Sequence, residues 1–431
     1  MFGMQRQRQI LKSLKLFNDS LRTCYVQVKR PNLLDLPPAD ESNLVKSKIP
    51  LSTVLWNKIK ATGPITVAEY MKEALTNPIS GYYMHNDVFG QKGDFITSPE
   101  ISQMFGEIIA IWFLNECKNV RAPPIIQIVE LGPGRGTLAK DILRVFHHFG
   151  FSNKISLHLV EVSPYLIAAQ SRLLCMHSSI SSNPKNTFVR SGETSNSVPV
   201  YWYNDIKDVP KKFSVILAHE FFDALPIHKL QNTPSGLREV LVDIDAEKPN
   251  TFRYVLANND TPASKMCTQP LEGKDQIEIS PQRNVIVDHL ASRIEEDGGM
   301  VLITDYGHNG DQGDTFRSYK SNKQHDPLID PGTADLTADI DFSQIKRIAE
   351  ANERCITFGP VTQRDFLKRM GIDVRLKMLL KKAPKQTVDS LTSGYSMIVD
   401  KEQMGERFKF FCMFPNVLRC QLKESPVCGF S

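Results

Sequence analysis

The stretch Ile125-Ile-Gln-Ile-Val-Glu130-Leu-Gly132-Pro-Gly134-Arg-Gly136-Thr137 restricts the possible folds of this 431-residue chain more than any other segment. The apolar run from Ile125 to Val129 predicts a buried strand, Glu130 closes it, and three alternate glycines follow. Leu138-Ala-Lys-Asp-Ile-Leu143 then takes up a helical pattern. Strand, glycine loop and helix in this order form the first βα turn of a nucleotide-type α/β domain. The glycines permit a tight turn and let a ligand approach without meeting a Cβ. A dinucleotide fingerprint requires Gly-x-Gly-x-x-Gly, with a pyrophosphate at the helix N-terminus. Here Thr137 stands where the third such glycine belongs, and Glu130 would repel a pyrophosphate while suiting an ammonium group.

That combination resembles motif I of S-adenosylmethionine methyltransferases. The rest of the chain fits an α/β domain of that kind. Further strands are predicted at 156–162, 200–203, 213–218 and 300–306, alternating with helices, which argues for a parallel sheet covered on both faces. Leu237 to Ile244 and Thr251 to Leu256 read as an inserted hairpin, turning at Lys248-Pro249-Asn250. Phe408 to Phe414 reads as a closing antiparallel strand. The predicted organisation is a leader and linker (1–46), a helical extension serving as a lid (47–122), a core (123–415, hairpin at about 227–257) and a C-terminal tail (416–431).

In doubly wound sheets the ligand lies beyond the C-terminal ends of the strands, so residues directly after strands are the candidates. Glu130 follows the first strand. Glu161 follows the second, 25 residues beyond Gly136, where an acid can accept from both ribose hydroxyls. Asp205 follows the third, in a position suited to an adenine amino group. With Gly132, Gly134 and Gly136 these are the candidate cofactor contacts. Gly93 and Ser98, in a Gly- and aromatic-rich segment ahead of the first core strand, are added as lid contacts. Ser98 is also the expected cap of a helix with Pro99 at its first position.

After the fourth strand comes His219-Glu-Phe-Phe-Asp-Ala-Leu-Pro226. Glu220 and Asp223 face the same way if the segment turns helically. A carboxylate pair suits a guanidinium fork and can take a proton, as can His219. These three are the candidate catalytic residues. Asp305-Tyr-Gly-His308 ends the fifth strand, and Asp335, Asp339 and Asp341 follow nearby. They suit a basic substrate or helix caps better than a metal, and no metal site is expected.

Charge narrows the partners. The chain carries +4, but residues 1–30 hold seven basic residues and one acid, so the remainder carries −2 and has no general bias towards nucleic acid. In the leader, Ile10, Leu14, Phe17 and Leu21 fall on one helical face with Lys12, Lys15 and Arg22 off it, as in a mitochondrial transit peptide. No apolar run is long enough to predict a transmembrane segment, and eight scattered cysteines without metal-ligand spacing suit a reducing compartment.

Six segments taken together carry a more specific likeness: Asn77-Pro78 through Tyr83, Gly93 through Glu100, Glu130 through Gly136, His219 through Pro226, Asp305 through His308, and Gly332 through Asp339. With them the chain resembles the MidA-like S-adenosylmethionine methyltransferases over roughly residues 47–415. It is most similar to their animal mitochondrial members, arginine methyltransferases that assist assembly of respiratory complex I. The resemblance implies a Rossmann-like seven-stranded α/β core, S-adenosylmethionine as cofactor, a matrix location and symmetric dimethylation of an arginine on a core complex I subunit. Two other functions share parts of the pattern. One is a non-catalytic S-adenosylmethionine-binding chaperone of a complex I subunit, against which the intact carboxylates speak. The other is a nicotinamide-dependent dehydrogenase, against which the glycine spacing speaks.

Overall fold

The computed structural model describes residues 49–85, 97–248, 251–267, 273–321 and 323–430. The leader, Gly93 with its loop, and the hairpin residues Pro249 and Asn250 lie outside the described residues. From the N-terminus, α1 (Leu51–Thr62), β1 (Ile65–Thr66) and α2 (Val67–Thr76) are followed by one-turn helices Tyr82–His85 and Ser98–Ile101, then α3 (Gln103–Asn119). Thr97, not Ser98, is the cap residue of that second short helix. The chain breaks at Ser102, whose hydroxyl accepts from the Met104 N–H and starts α3.

The main sheet comprises β2 (Ile126–Leu131), β3 (Ile155–Val160), β4 (His177–Ile180), β5 (Arg190–Glu193), β6 (Pro199–Tyr203) and β7 (Ser214–His219) in its first half. After an insertion carrying β8 (His228–Thr233), β9 (Gly236–Ile244), β10 (Phe252–Leu256) and β11 (Gln276–Ile279), it continues with β12 (Gly299–His308). A small sheet of β13 (Arg317–Lys320), β14 (Lys323–His325) and β15 (Asp335–Thr337) follows. The chain then returns to the main sheet through β16 (Ile340–Asp341), β17 (Cys355–Thr362) and β18 (Phe408–Pro415).

The strand order is β17-β18-β12-β7-β2-β3-β6-β5-β4, with β16 paired to β12 beside this path. Neighbours from β6 to β12 are parallel, and β18 is antiparallel between β12 and β17. Seven strands were expected, and the run from β17 to β6 contains seven. The antiparallel pair β4–β5 and the short β16 bring the described sheet to ten. Every residue of β2 and β7 is buried, as a parallel sheet covered on both faces requires. α3 and α4 (Thr137–His148) cover one face, and the helices Pro281–Asp297 and Phe342–Ala349 cover the other.

Three expectations change. The insertion is more than a hairpin: β9 and β10 do pair antiparallel, but β8, β11 and β1 extend them into a five-stranded sheet. The expected lid divides. α1 and α2 pack on that accessory sheet through Leu55, Tyr70, Met71 and Val242, while α3, apolar around almost its whole circumference, is buried in the main core. The C-terminal segment is no simple tail: Val427 and Cys428 are buried, and Trp112 Nε1 of α3 donates to the Cys428 carbonyl at 2.8 Å.

Candidate active site

A cavity of about 1440 Å³ opens at the C-terminal ends of β2, β3, β7 and β12. Parallel pairing delivers its walls. Glu130 lies level with Leu159 on β3 and Leu217 on β7, and Thr304 pairs with His219. Acids that follow neighbouring parallel strands therefore converge on one rim.

One half of the cavity is built by the glycine loop. Gly132 and Gly134 line it at φ 62° and 53°. A Cβ on Gly132 would come within 2.9 Å of the Phe221 ring, so the loop can lie there only as glycine. Gly136 does not line the cavity. It caps α4 in the left-handed region. Glu130 is buried, and its Oε2 has no hydrogen-bond partner among the described residues. Burial pushes its carboxyl up to about 8. An acid left so in a cavity wall is a socket for a ligand cation. Glu161 Oε1 accepts from the Val162 and Ser163 N–H groups, both at 2.9 Å, and burial pushes it up to about 7 against those bonds. Asp205 lines the cavity, and its Oδ1 accepts from the Lys207 N–H at 3.0 Å.

Gln170 organises this half, and nothing in its sequence context marks it. Its Nε2 donates to the Gly134 carbonyl at 2.7 Å and to Glu161 Oε2 at 3.2 Å, while its Oε1 accepts from Trp202 Nε1 at 2.9 Å. One buried amide thus joins the glycine loop to the acid after β3.

The other half is acidic. His219, Glu220 and Asp223 all line the cavity, though not through the helical turn expected. Glu220 instead has a φ of 48°, a left-handed conformation costly for a residue with a Cβ and characteristic of strained functional sites. Asp305 holds this turn: its Oδ2 accepts from the N–H groups of Phe222 (3.0 Å) and Asp223 (3.3 Å). Asp223 Oδ2 accepts from Thr337 Oγ1 at 2.8 Å. Burial, then the neighbouring Asp223 and Asp305, pushes the Glu220 carboxyl well above the carboxylate range. Burial moves Asp223 in the same direction. His219 Nε2 is 3.2 Å from Glu220 Oε1, and burial lowers its imidazole to about 3, so it is neutral at pH 7.

Asp335, one of the acids read as suited to a basic substrate, completes this wall with Tyr83, Tyr306, Arg317 and Thr337, which the sequence reading did not single out as site residues. Arg317 is paired with Asp339 at 2.6 Å. Asp341 caps the next helix, accepting from the Ser343 and Gln344 N–H groups. Ser98 lies off the cavity: its hydroxyl is buried and donates to Gln363 Oε1 at 3.4 Å, while its backbone N–H bonds Glu220.

Residues 108–361, more than half of the chain, match a family described as putative S-adenosyl-L-methionine-dependent methyltransferase. The chain belongs to this methyltransferase family. It is 50% identical over 372 residues to the human protein arginine methyltransferase NDUFAF7, mitochondrial, covering 85% of this chain and 84% of the human one. With the Drosophila melanogaster homolog of that name it shares 47% identity over 423 residues, covering 94% and 97%. In fold it matches a likely methyl transferase from Burkholderia thailandensis bound to S-adenosyl-homocysteine, with a TM-score of 0.69 at 22% identity over 85% of this chain and 92% of that one.

The acceptors on this rim fit the chemistry of the cofactor, S-adenosylmethionine. The lone Glu130 carboxylate suits the amino group, the Glu161 carboxylate suits a ribose, and the open glycine loop lies between them. A cationic ligand favours ionised Glu130, so binding should release a proton. We expect the affinity for S-adenosylhomocysteine to weaken by roughly tenfold per unit as pH falls below 8, because the carboxyl must first lose its proton. Calorimetric titration between pH 6 and 8 checks this. A Glu130→Gln variant should bind about 100-fold more weakly at pH 8, with a flatter pH dependence. An unchanged slope in that variant would remove Glu130 from the role.

Proposed function

We propose that this methyltransferase transfers methyl groups to an arginine of a protein, acting in the mitochondrial matrix on a core subunit of respiratory complex I and producing symmetric dimethylarginine. The observation that carries the reading is the acidic wall opposite the glycine loop. Glu220, Asp223 and Asp335 line it, and Arg317 beside them is already paired with Asp339. A guanidinium is a planar cation whose donors match carboxylate oxygens. The names of the relatives support arginine and mitochondria. The likeness of the motifs to assembly-assisting members supports the complex I subunit. The cavity exceeds the ~300–1,000 Å³ usual for one small ligand, as a site holding a cofactor and a protein side chain must.

S-adenosylmethionine supplies an electrophilic methyl group. The chain supplies position and a proton acceptor. Guanidinium entry favours ionised Glu220, whose oxygen then accepts the proton that the methylated nitrogen must lose. His219, held neutral and weakly basic, is a poorer acceptor, so the proton work falls to Glu220 and Asp223. Orienting the two reactants supplies the larger share of the rate.

The test is methyl transfer from labelled S-adenosylmethionine into mitochondrial extract from cells depleted of this protein. Label should appear at arginine in one complex I subunit. Glu220→Gln should lower the rate at least about 100-fold with cofactor affinity kept. If Glu220→Gln, Asp223→Asn restores complex I assembly fully, the protein acts there by binding alone.

A further inference from the structure

Tyr83 joins the two halves of the cavity. Its hydroxyl donates to Asp335 Oδ1 at 2.6 Å, across 252 residues of sequence. Its backbone carbonyl accepts from Ser163 Oγ at 2.7 Å, and the Ser163 N–H donates to Glu161 Oε1 at 2.9 Å. Side chain and main chain of one residue thus reach the acidic wall and the turn after β3. The partner strand is built to receive it. In β15, Asp335 and Thr337 are two apart and so share a face; Thr337 holds Asp223 while Asp335 takes the phenol.

We propose that Tyr83 is a positioning residue of the acceptor half of the site. It fixes the Asp335 carboxylate where the substrate guanidinium enters and anchors that wall to the turn carrying Glu161. The inference rests on the arginine reading above. A neutral donor orients a carboxylate without cancelling its charge. A lysine there would place a cation where a cation must bind. Burial and then Asp335 hold the phenol well above its ordinary range, so Tyr83 remains a donor throughout the working pH range. The bond from Ser163 is to the Tyr83 main chain and survives a change of side chain, so the two links are separable.

The test is a kinetic cycle of Tyr83→Phe, Asp335→Asn and the double variant, with the extract assay run over a dilution series of extract. Tyr83→Phe should raise the apparent KM for the arginine acceptor roughly tenfold. Its kcat should stay within about threefold and the Kd for S-adenosylhomocysteine within about twofold. Asp335→Asn should act in the same direction, and the double variant should be no worse than the poorer single one, since both remove one interaction. A merely structural role would instead lower the melting temperature and weaken cofactor binding together. Arginine labelling with unchanged KM in Tyr83→Phe, or additive effects in the cycle, would overturn this assignment alone. Absence of arginine labelling by the unaltered chain would overturn the arginine reading and the assignment with it.

Discussion

A Gly134→Val variant should fold and yet bind no S-adenosylhomocysteine within the range of a calorimetric titration, a loss of at least about 1,000-fold. Gly134 lines the cavity at φ 53°, where a β-branched residue is sterically disfavoured, and its side chain would enter the ligand space. Gly134 borders a cavity, so stability should fall by only about 1–3 kcal/mol, the cost of the strained backbone. Gly150→Val is the matching control. Gly150 has a φ of 76° with nothing within 4 Å of a built Cβ, and it lies away from the cavity. It should carry similar strain and retain binding. Equal loss in both variants would show that strain, and not occupation of the ligand space, is responsible.

Arg375→Leu should be strongly destabilising, costing about 3–5 kcal/mol, because it leaves a buried carboxylate short of its partner. Arg375 Nε and Nη2 donate to the two oxygens of Glu107 at 2.7 and 3.0 Å, and Arg144 adds a third bond at 2.9 Å. Burial alone would push Glu107 up, but the guanidinium groups of Arg375 and Arg144 override it and hold the carboxyl at about 2. The native value is thus below the ordinary 4.5, so the stabilisation is complete above about pH 4.5 and is lost as pH falls towards 2. The gap in unfolding free energy between the unaltered chain and Arg375→Leu should therefore be largest near pH 7 and shrink at pH 4 and below. Urea titrations at pH 7, 5 and 4 check it, and a gap that stays constant would show that packing, not the ion pair, is lost.

The sequence was most legible where a local pattern sets the backbone state. Alternating glycines permit a turn that other residues resist, and uninterrupted apolar runs make buried parallel strands. β2, β3, β7 and β12 and the acids at their ends were therefore readable in advance, and Glu130, Glu161, Asp205, Glu220 and Asp223 do line one cavity. Short or polar strands were not readable. β1 has two residues, and β8 and β11 (His-Lys-Leu-Gln-Asn-Thr and Gln-Ile-Glu-Ile) become strands because partners in the accessory sheet pair with them. β17 was not among the predicted strands, and it forms because β18 offers an edge.

By itself, then, the sequence determined the α/β class, the glycine loop and the row of acids after the strands, since each depends on residues within a few positions of one another. The tertiary structure alone decided that Ser98 and Gly136 stand off the cavity and that Glu220 takes a left-handed conformation. It alone brought Gln170 to both the glycine loop and Glu161, and Tyr83 to Asp335. Those meetings join residues from nine to 252 positions apart. Their geometry is fixed by how whole layers pack, a quantity that no local run of side chains contains.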